Sequence, residues 1–214
     1  MEITWYGHAC FRIGERGRYA VADPYGPEAG PELPRLSATL VTVSHAHANH
    51  NYVRALRGSP YVIAGPGEYE VGGVFVIGIG TFHDGKQGQE HGKNTAYLIE
   101  IDDIVVCHLG DLGHAPTQEQ LEQLNNVDIL LVPVGGSAAL NGAQAAEVVN
   151  LIEPSIVIPM HYHTPGMRAG LEGPERFLAE MAVEAPAPLE MLKVAKGQLP
   201  ETTRVVLLDP RHQG

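Results

Sequence analysis

A chain of 214 residues, 44% hydrophobic and 18% charged, has the length and balance of one folded domain, 1–214, with a substantial core. Its formal net charge of −11 argues against a nucleic-acid surface, which needs clustered Lys and Arg, but is compatible with a small anionic substrate held by metal. No apolar run reaches membrane-span length, the opening MEITWYGHACFRI lacks the regions of a secretion signal, and Cys10 and Cys107 make no disulfide framework, so a reducing cytoplasm is the expected compartment.

The first segments, EITWYG, ACFRIG and RYAVADP, alternate and are separated by Gly-containing turns, which predicts antiparallel strands. PYGPEAGPELPRL is too rich in Pro and Gly for a regular element and reads as a surface loop. ATLVTVS is a continuous apolar, β-branched run, the mark of a strand buried on both faces. NHNYVRALRG then predicts a short helix closed by Gly58, and PYVIAG, YEVGGVFVIGIG, NTAYLIEID and DIVVCHLGD continue the strand pattern. From Thr117 the period changes: TQEQLEQL, VDILLVPVGG, NGAQAAEVVNLIEP, SIVIPMHY and GPERFLAEM alternate helix with buried strand. LEMLKVA and TRVVLLD are expected as closing strands. The pattern is that of a layered α/β domain with two sheets and helices outside, without internal repeats or low-complexity segments.

The 11 histidines are the one unusual number. His45, His47 and His50 follow directly on the strand TLVTV; His83 follows VFVIGIG; Asp111 and His114 follow DIVVCHLG; His161 and His163 follow SIVIP. Four groups of ligand-capable side chains thus fall just past the carboxyl ends of four predicted strands, the edge where α/β sheets bind ligands. Imidazole suits Zn²⁺, Mn²⁺ or Fe²⁺, and a carboxylate can bridge two ions. A solvated His-rich turn would explain HAHANH alone, but not the common placement of the other three groups.

On these residues the sequence resembles the metallo-β-lactamase-fold hydrolases, in particular the branch similar to ascorbate 6-phosphate lactonase, over nearly the whole chain. The family signature H-x-H-x-D-H lines up with HAHANH, its Asp-containing strand end with VADP, its isolated third His with TFHDG, its bridging Asp with HLGDLGH and its last His with PMHYHT. ITWYGHACF, GPGEYEV and GKNTAYLIEID also look like this branch. The resemblance implies a four-layer αββα sandwich. It implies that His45, His47 and His83 hold a first ion, that Asp111 bridges, and that His50, His161 and position 49 hold a second. A metal-activated water would then be the nucleophile.

Asp23 reads as a residue behind the ligands that orients one of the histidines. His8, in the turn YGHAC, is a candidate for substrate contact or proton transfer, with a local turn role as the alternative. His114 and His163 are candidates for lining the pocket, whereas His91, His108 and His212 are read as structural or surface residues. Position 49 is Asn where the family carries Asp. A neutral carboxamide is a weaker donor to a hard cation, so the second site is expected to be weaker than in relatives, with Asp84, beside His83, a partial substitute. These readings lead to a metal-dependent hydrolase of a small ester, lactone or phosphoester, using one or two Zn, Mn or Fe ions. The alternative from another class is a degenerate member that binds metal or ligand without turnover. Oligomeric state is not encoded in these motifs.

Overall fold

The structure is a computed structural model that describes residues 1–167 and 170–211, so His212 lies outside the described residues. In chain order the strands are β1 (Glu2–Trp5), β2 (Phe11–Glu15), β3 (Arg18–Ala22), β4 (Leu40–Thr42), β5 (Tyr61–Ile63), β6 (Gly67–Val71), β7 (Val74–Phe82), β8 (Lys93–Ile101) and β9 (Ile104–His108). Helix α1 (Gln118–Gln123) precedes β10 (Ile129–Pro133), α2 (Gly142–Ile152) precedes β11 (Ile156–Met160), and α3 (Glu175–Glu180) precedes β12 (Leu192–Lys193) and β13 (Arg204–Val205). One sheet has the order β12-β1-β2-β3-β4-β5, the other β13-β11-β10-β9-β8-β7-β6. Each begins antiparallel and becomes parallel, at β3–β4 in the first and at β9–β10 in the second. That is the change of period seen in the sequence.

The sheets pack face to face because their strands alternate. Phe11, Ile13, Ala20 and Leu40 join the large core shared with β7–β11, while Val21 and Val41, each one residue on, face a second cluster with Tyr25, Leu33 and Leu36. The Pro- and Gly-rich loop thus covers the outer face of the first sheet. The helices begin where the sequence places stop-and-start chemistry: Thr117 with Gln120, and Asn141 with Gln144, form reciprocal capping boxes at α1 and α2.

Two expectations change. The helix predicted over NHNYVRALRG is a single 3-10 turn, Val53–Ala55. Its backbone is drawn sideways: the Tyr52 N–H donates to Pro24 O and the Arg57 N–H to Leu36 O, so the segment clamps the outer loop instead of closing on itself. His50 therefore sits in a turn and not at a helix start, and the outer layer on this side is loop where an α-helix was expected. The closing strands β12 and β13 are two residues each, shorter than LEMLKVA and TRVVLLD suggest.

Two polar side chains fix the loops at the sheet edge. Buried Asn94 on β8 donates to Thr81 Oγ1 (2.7 Å) and Leu109 O (2.9 Å) and accepts from the Asp111 N–H (3.0 Å). Asp84 does not replace a metal-site carboxylate: its Oδ1 accepts from the amides of Lys86 (2.7 Å) and Gly88 (2.9 Å), its Oδ2 from those of Glu90 (3.1 Å) and His91 (2.8 Å). The His91 amide foremost, with the other three, holds the Asp84 carboxyl well below the usual carboxylate range against an opposing effect of burial.

Two outcomes are expected. Asn94→Ala strands buried backbone groups of Leu109 and Asp111 and should cost about 3 kcal/mol in urea unfolding. Asp84→Asn leaves one acceptor oxygen where there were two, so hydrogen exchange should accelerate at one pair of amides, 86 and 88 or 90 and 91, and not at both. Because the folded Asp84 value is lowered, its stabilisation is fully present above the ordinary carboxylate range. In the parent protein the same amides should lose protection as pH falls through the lowered folded value.

Candidate metal centre

Asp111 sits in the turn after β9, 2% exposed, at the meeting point of four imidazoles. Its Oδ2 lies 3.0 Å from His83 Nε2, 3.1 Å from His50 Nε2 and 3.8 Å from His45 Nε2, and its Oδ1 lies 3.3 Å from His161 Nε2. The turn is possible because residue 110 is Gly: its φ is +58°, and a Cβ there would stand 2.5 Å from both Asn94 Oδ1 and Ser44 Cβ. The strand ends of both sheets deliver the other groups, with His45 and His50 after β4, His83 after β7 and His161 after β11.

Behind this centre lies Asp23, at the end of β3 and fully buried. It accepts from the Ser44 N–H (2.8 Å), from the Ser44 hydroxyl and from His50 Nδ1 (2.8 Å). Since the Ser44 proton goes to Asp23, Ser44 Oγ accepts from His45 Nδ1 at 3.0 Å. One carboxylate thus sets the tautomer of two histidines and turns both Nε2 atoms toward Asp111. Electrostatics follow the geometry. Burial opposes a charge on His50, but attraction to Asp111 and Asp23, with the hydrogen bond to Asp23, outweighs it and pushes its value up to about 10. Burial, and then the charge on His50, hold His45 down at about 4. Burial would raise Asp111, yet His161 and His50 keep it well below the carboxylate range.

The donors fit metal ions. His45 Nε2, His50 Nε2, His83 Nδ1, His161 Nδ1 and Asp111 Oδ1 are buried without a hydrogen-bonded partner; His50 Nε2 is near Asp111 but not aligned with it. Ligand atoms gather in two groups, His45–His83–Asp111 and His8–His50–His161, each within 4.8 Å.

Other expected residues fall elsewhere. His47 stands in neither group; it is exposed at the cavity rim, its ring stacked on His45 at 5.7 Å. Asn49 is half-buried and also lines the cavity. His114 does not line the pocket: its Nε2 accepts from the Phe82 N–H (3.2 Å) and its Nδ1 donates to Ala115 O (2.8 Å), which fastens its own loop to the end of β7. His163 is exposed and outside the cavity, because the turn after β11 alternates and only His161 faces inward. Conversely His91, read as structural or surface, borders the cavity with its ring 5.5 Å from His83. Its signal was available: β8 pairs antiparallel with β7, so the residues leading into β8 share the edge where β7 ends. Ser137 and Leu171, which also line the cavity, carry no such signal.

The cavity over this centre measures about 330 Å³. Comparison with known proteins agrees with the architecture. The profile of the Beta-lactamase superfamily domain matches residues 2–161. A UPF0173 protein of Pyrococcus abyssi is 33% identical over 190 residues, covering 78% of this chain and 85% of the relative. A UPF0173 metal-dependent hydrolase of Thermoplasma acidophilum is 30% identical over 84% of this chain and 90% of its own length. A solved structure from Thermotoga maritima, named for Zn-dependent hydrolysis within the metallo-β-lactamase superfamily, superposes with a TM-score of 0.79 at 36% identity, covering 97% of both chains. Sequence and fold agree along the length of the molecule: the chain belongs to the metallo-β-lactamase superfamily, within its UPF0173 family of metal-dependent hydrolases.

Proposed function

We propose that the protein hydrolyses a small lactone, ester or phosphoester with divalent metal held around Asp111. The observation that carries this reading is the buried Asp111 carboxylate surrounded by imidazole nitrogens that lack partners. His45, His83 and Asp111 would hold a first ion, with His47 available from the rim; His50 and His161 would hold a second across Asp111. The imidazole-rich donor set suits zinc, and the Thermotoga maritima relative is named for zinc dependence. When bound, such ions lower the pKa of a water and polarise the substrate oxygen.

The chain's own contribution is to position and shield. Asp23 and Ser44 lock His45 and His50, and Asp84 holds the loop that carries His91 to the rim. The cavity suits a small molecule, with Ala138, Ala139 and Leu171 as an apolar wall. Within that range, the resemblance of HAHANH, TFHDG and HLGDLGH to ascorbate 6-phosphate lactonase supports a lactone.

Metal-free protein should be inactive on a panel of small lactones and nitrophenyl esters, and stoichiometric zinc should restore turnover. Asp111→Ala should abolish tight zinc binding and lower kcat/KM by on the order of 10³ or more. Asp23→Asn, which keeps the shape but weakens the hold on His50, should lower zinc affinity about 10- to 100-fold. Hydrolysis by the chelated protein at the parent rate would remove the basis of this reading.

A further inference from the structure

His8 occupies a place that the H-x-H-x-D-H signature does not provide for. It is 2% exposed, its Nδ1 has no hydrogen-bonded partner, and one of its nitrogens lies within 4.8 Å of ligand nitrogens of His50 and His161. Its ring meets His161 edge-on at 4.3 Å and His50 at 4.8 Å. Asn49, which stands where the signature carries a carboxylate, is half-buried and makes no hydrogen bond among the described residues.

His108 is an internal control. It too is fully buried, yet it spends both nitrogens on the backbone: Nε2 on Ala9 O (2.8 Å) and Nδ1 on the Gly110 N–H (3.2 Å). A core histidine in this protein is therefore satisfied. His8 differs, and its main chain is held as if its direction matters: its carbonyl accepts from Trp5 Nε1 (3.0 Å) and from the His161 N–H (3.0 Å). That second bond ties the β1–β2 turn of one sheet to the turn after β11 of the other.

We propose that His8 replaces the missing carboxylate, so that a second ion is held by His8, His50 and His161 with Asp111 bridging, and Asn49 is dispensable. This rests on the metal-hydrolase reading above. It assigns His8 to holding the ion and not to the proton transfer that its sequence position suggests. Three neutral imidazoles favour Zn²⁺ over harder Mn²⁺ at this site.

Calorimetric titration of metal-free protein with zinc alone tests the assignment. The parent should bind two zinc ions. His8→Ala should keep the first, which also shows that the variant folds, and weaken the second at least about tenfold. Asn49→Ala should leave both affinities within about threefold of the parent. In the double variant His8→Ala/Asn49→Asp the restored carboxylate should recover the second site. A second site that survives His8→Ala at parent affinity, or that Asn49→Ala abolishes, would overturn the role of His8, as would a single zinc in the parent. A parent that binds no zinc would instead overturn the metal-hydrolase reading itself.

Discussion

A carboxylate buried at the edge of two sheets is the constraint around which the rest is arranged. Taking the Asp111 charge out of water costs several kcal/mol unless cations and donors surround it. The imidazoles around it, His50 above all, supply part of that compensation. His50, fully buried between Asp111 and Asp23, is pushed up to about 10 by the two carboxylates against the effect of burial. Two buried carboxylates on either side of one imidazole favour a positive charge there, and a divalent ion held at the same place would supply it instead. Burial works the other way on His45 and His8, whose values are lowered, while Asp111 raises His83 against its burial. His45 and His8 are buried beside His50, and a second or third cation in so small a volume would be repelled by the first.

Such a cluster requires rigid support, and the support comes from both sheets. Asp23, just past β3, and Ser44, beyond β4, are neighbours because these strands run parallel. Asn94 on β8 reaches Thr81 on β7 and the turn after β9, so three strands of the second sheet share one side chain. Gly110 lets that turn approach Ser44 of the first sheet closely. The two sheets thus meet at polar side chains at one edge and at apolar ones, such as Trp5, Phe11 and Tyr97, everywhere behind it.

Much of this is legible in the sequence, for physical reasons. Buried strands declare themselves as β-branched runs, capping boxes as Thr-x-x-Gln and Asn-x-x-Gln, and ligand loops as histidines placed after strands. Local signals fail where long-range bonds decide. NHNYVRALRG has a helical look, but its amides bond to a loop about twenty residues earlier. His163 and His161 are equivalent in a motif, and only the backbone path after β11 sends one inward. Asp84 resembles a ligand by adjacency to His83, yet four amides of its own loop claim its oxygens. Above all, the proximity of His8 to His50 and His161 joins three distant turns and leaves no trace in spacing.

The turns of His8 and His161 share a further property with the end of β3. Asp23 (φ +42°), His8 (φ +53°) and His161 (φ +51°) all adopt the left-handed backbone region without being glycine. Such conformations cost on the order of 1 kcal/mol each and persist only where the surroundings over-determine them. Here the surroundings do: the His161 N–H donates to the His8 carbonyl, Trp5 Nε1 donates to the same oxygen, and the Asp23 N–H donates to Thr42 O. Glycine would relieve the strain but remove the ligand or its orienting carboxylate. Other non-glycine residues share that backbone region, among them the exposed Arg16, Asp102 and Glu153, so strain alone does not mark the site; at Asp23, His8 and His161 it coincides with side chains placed at the candidate centre.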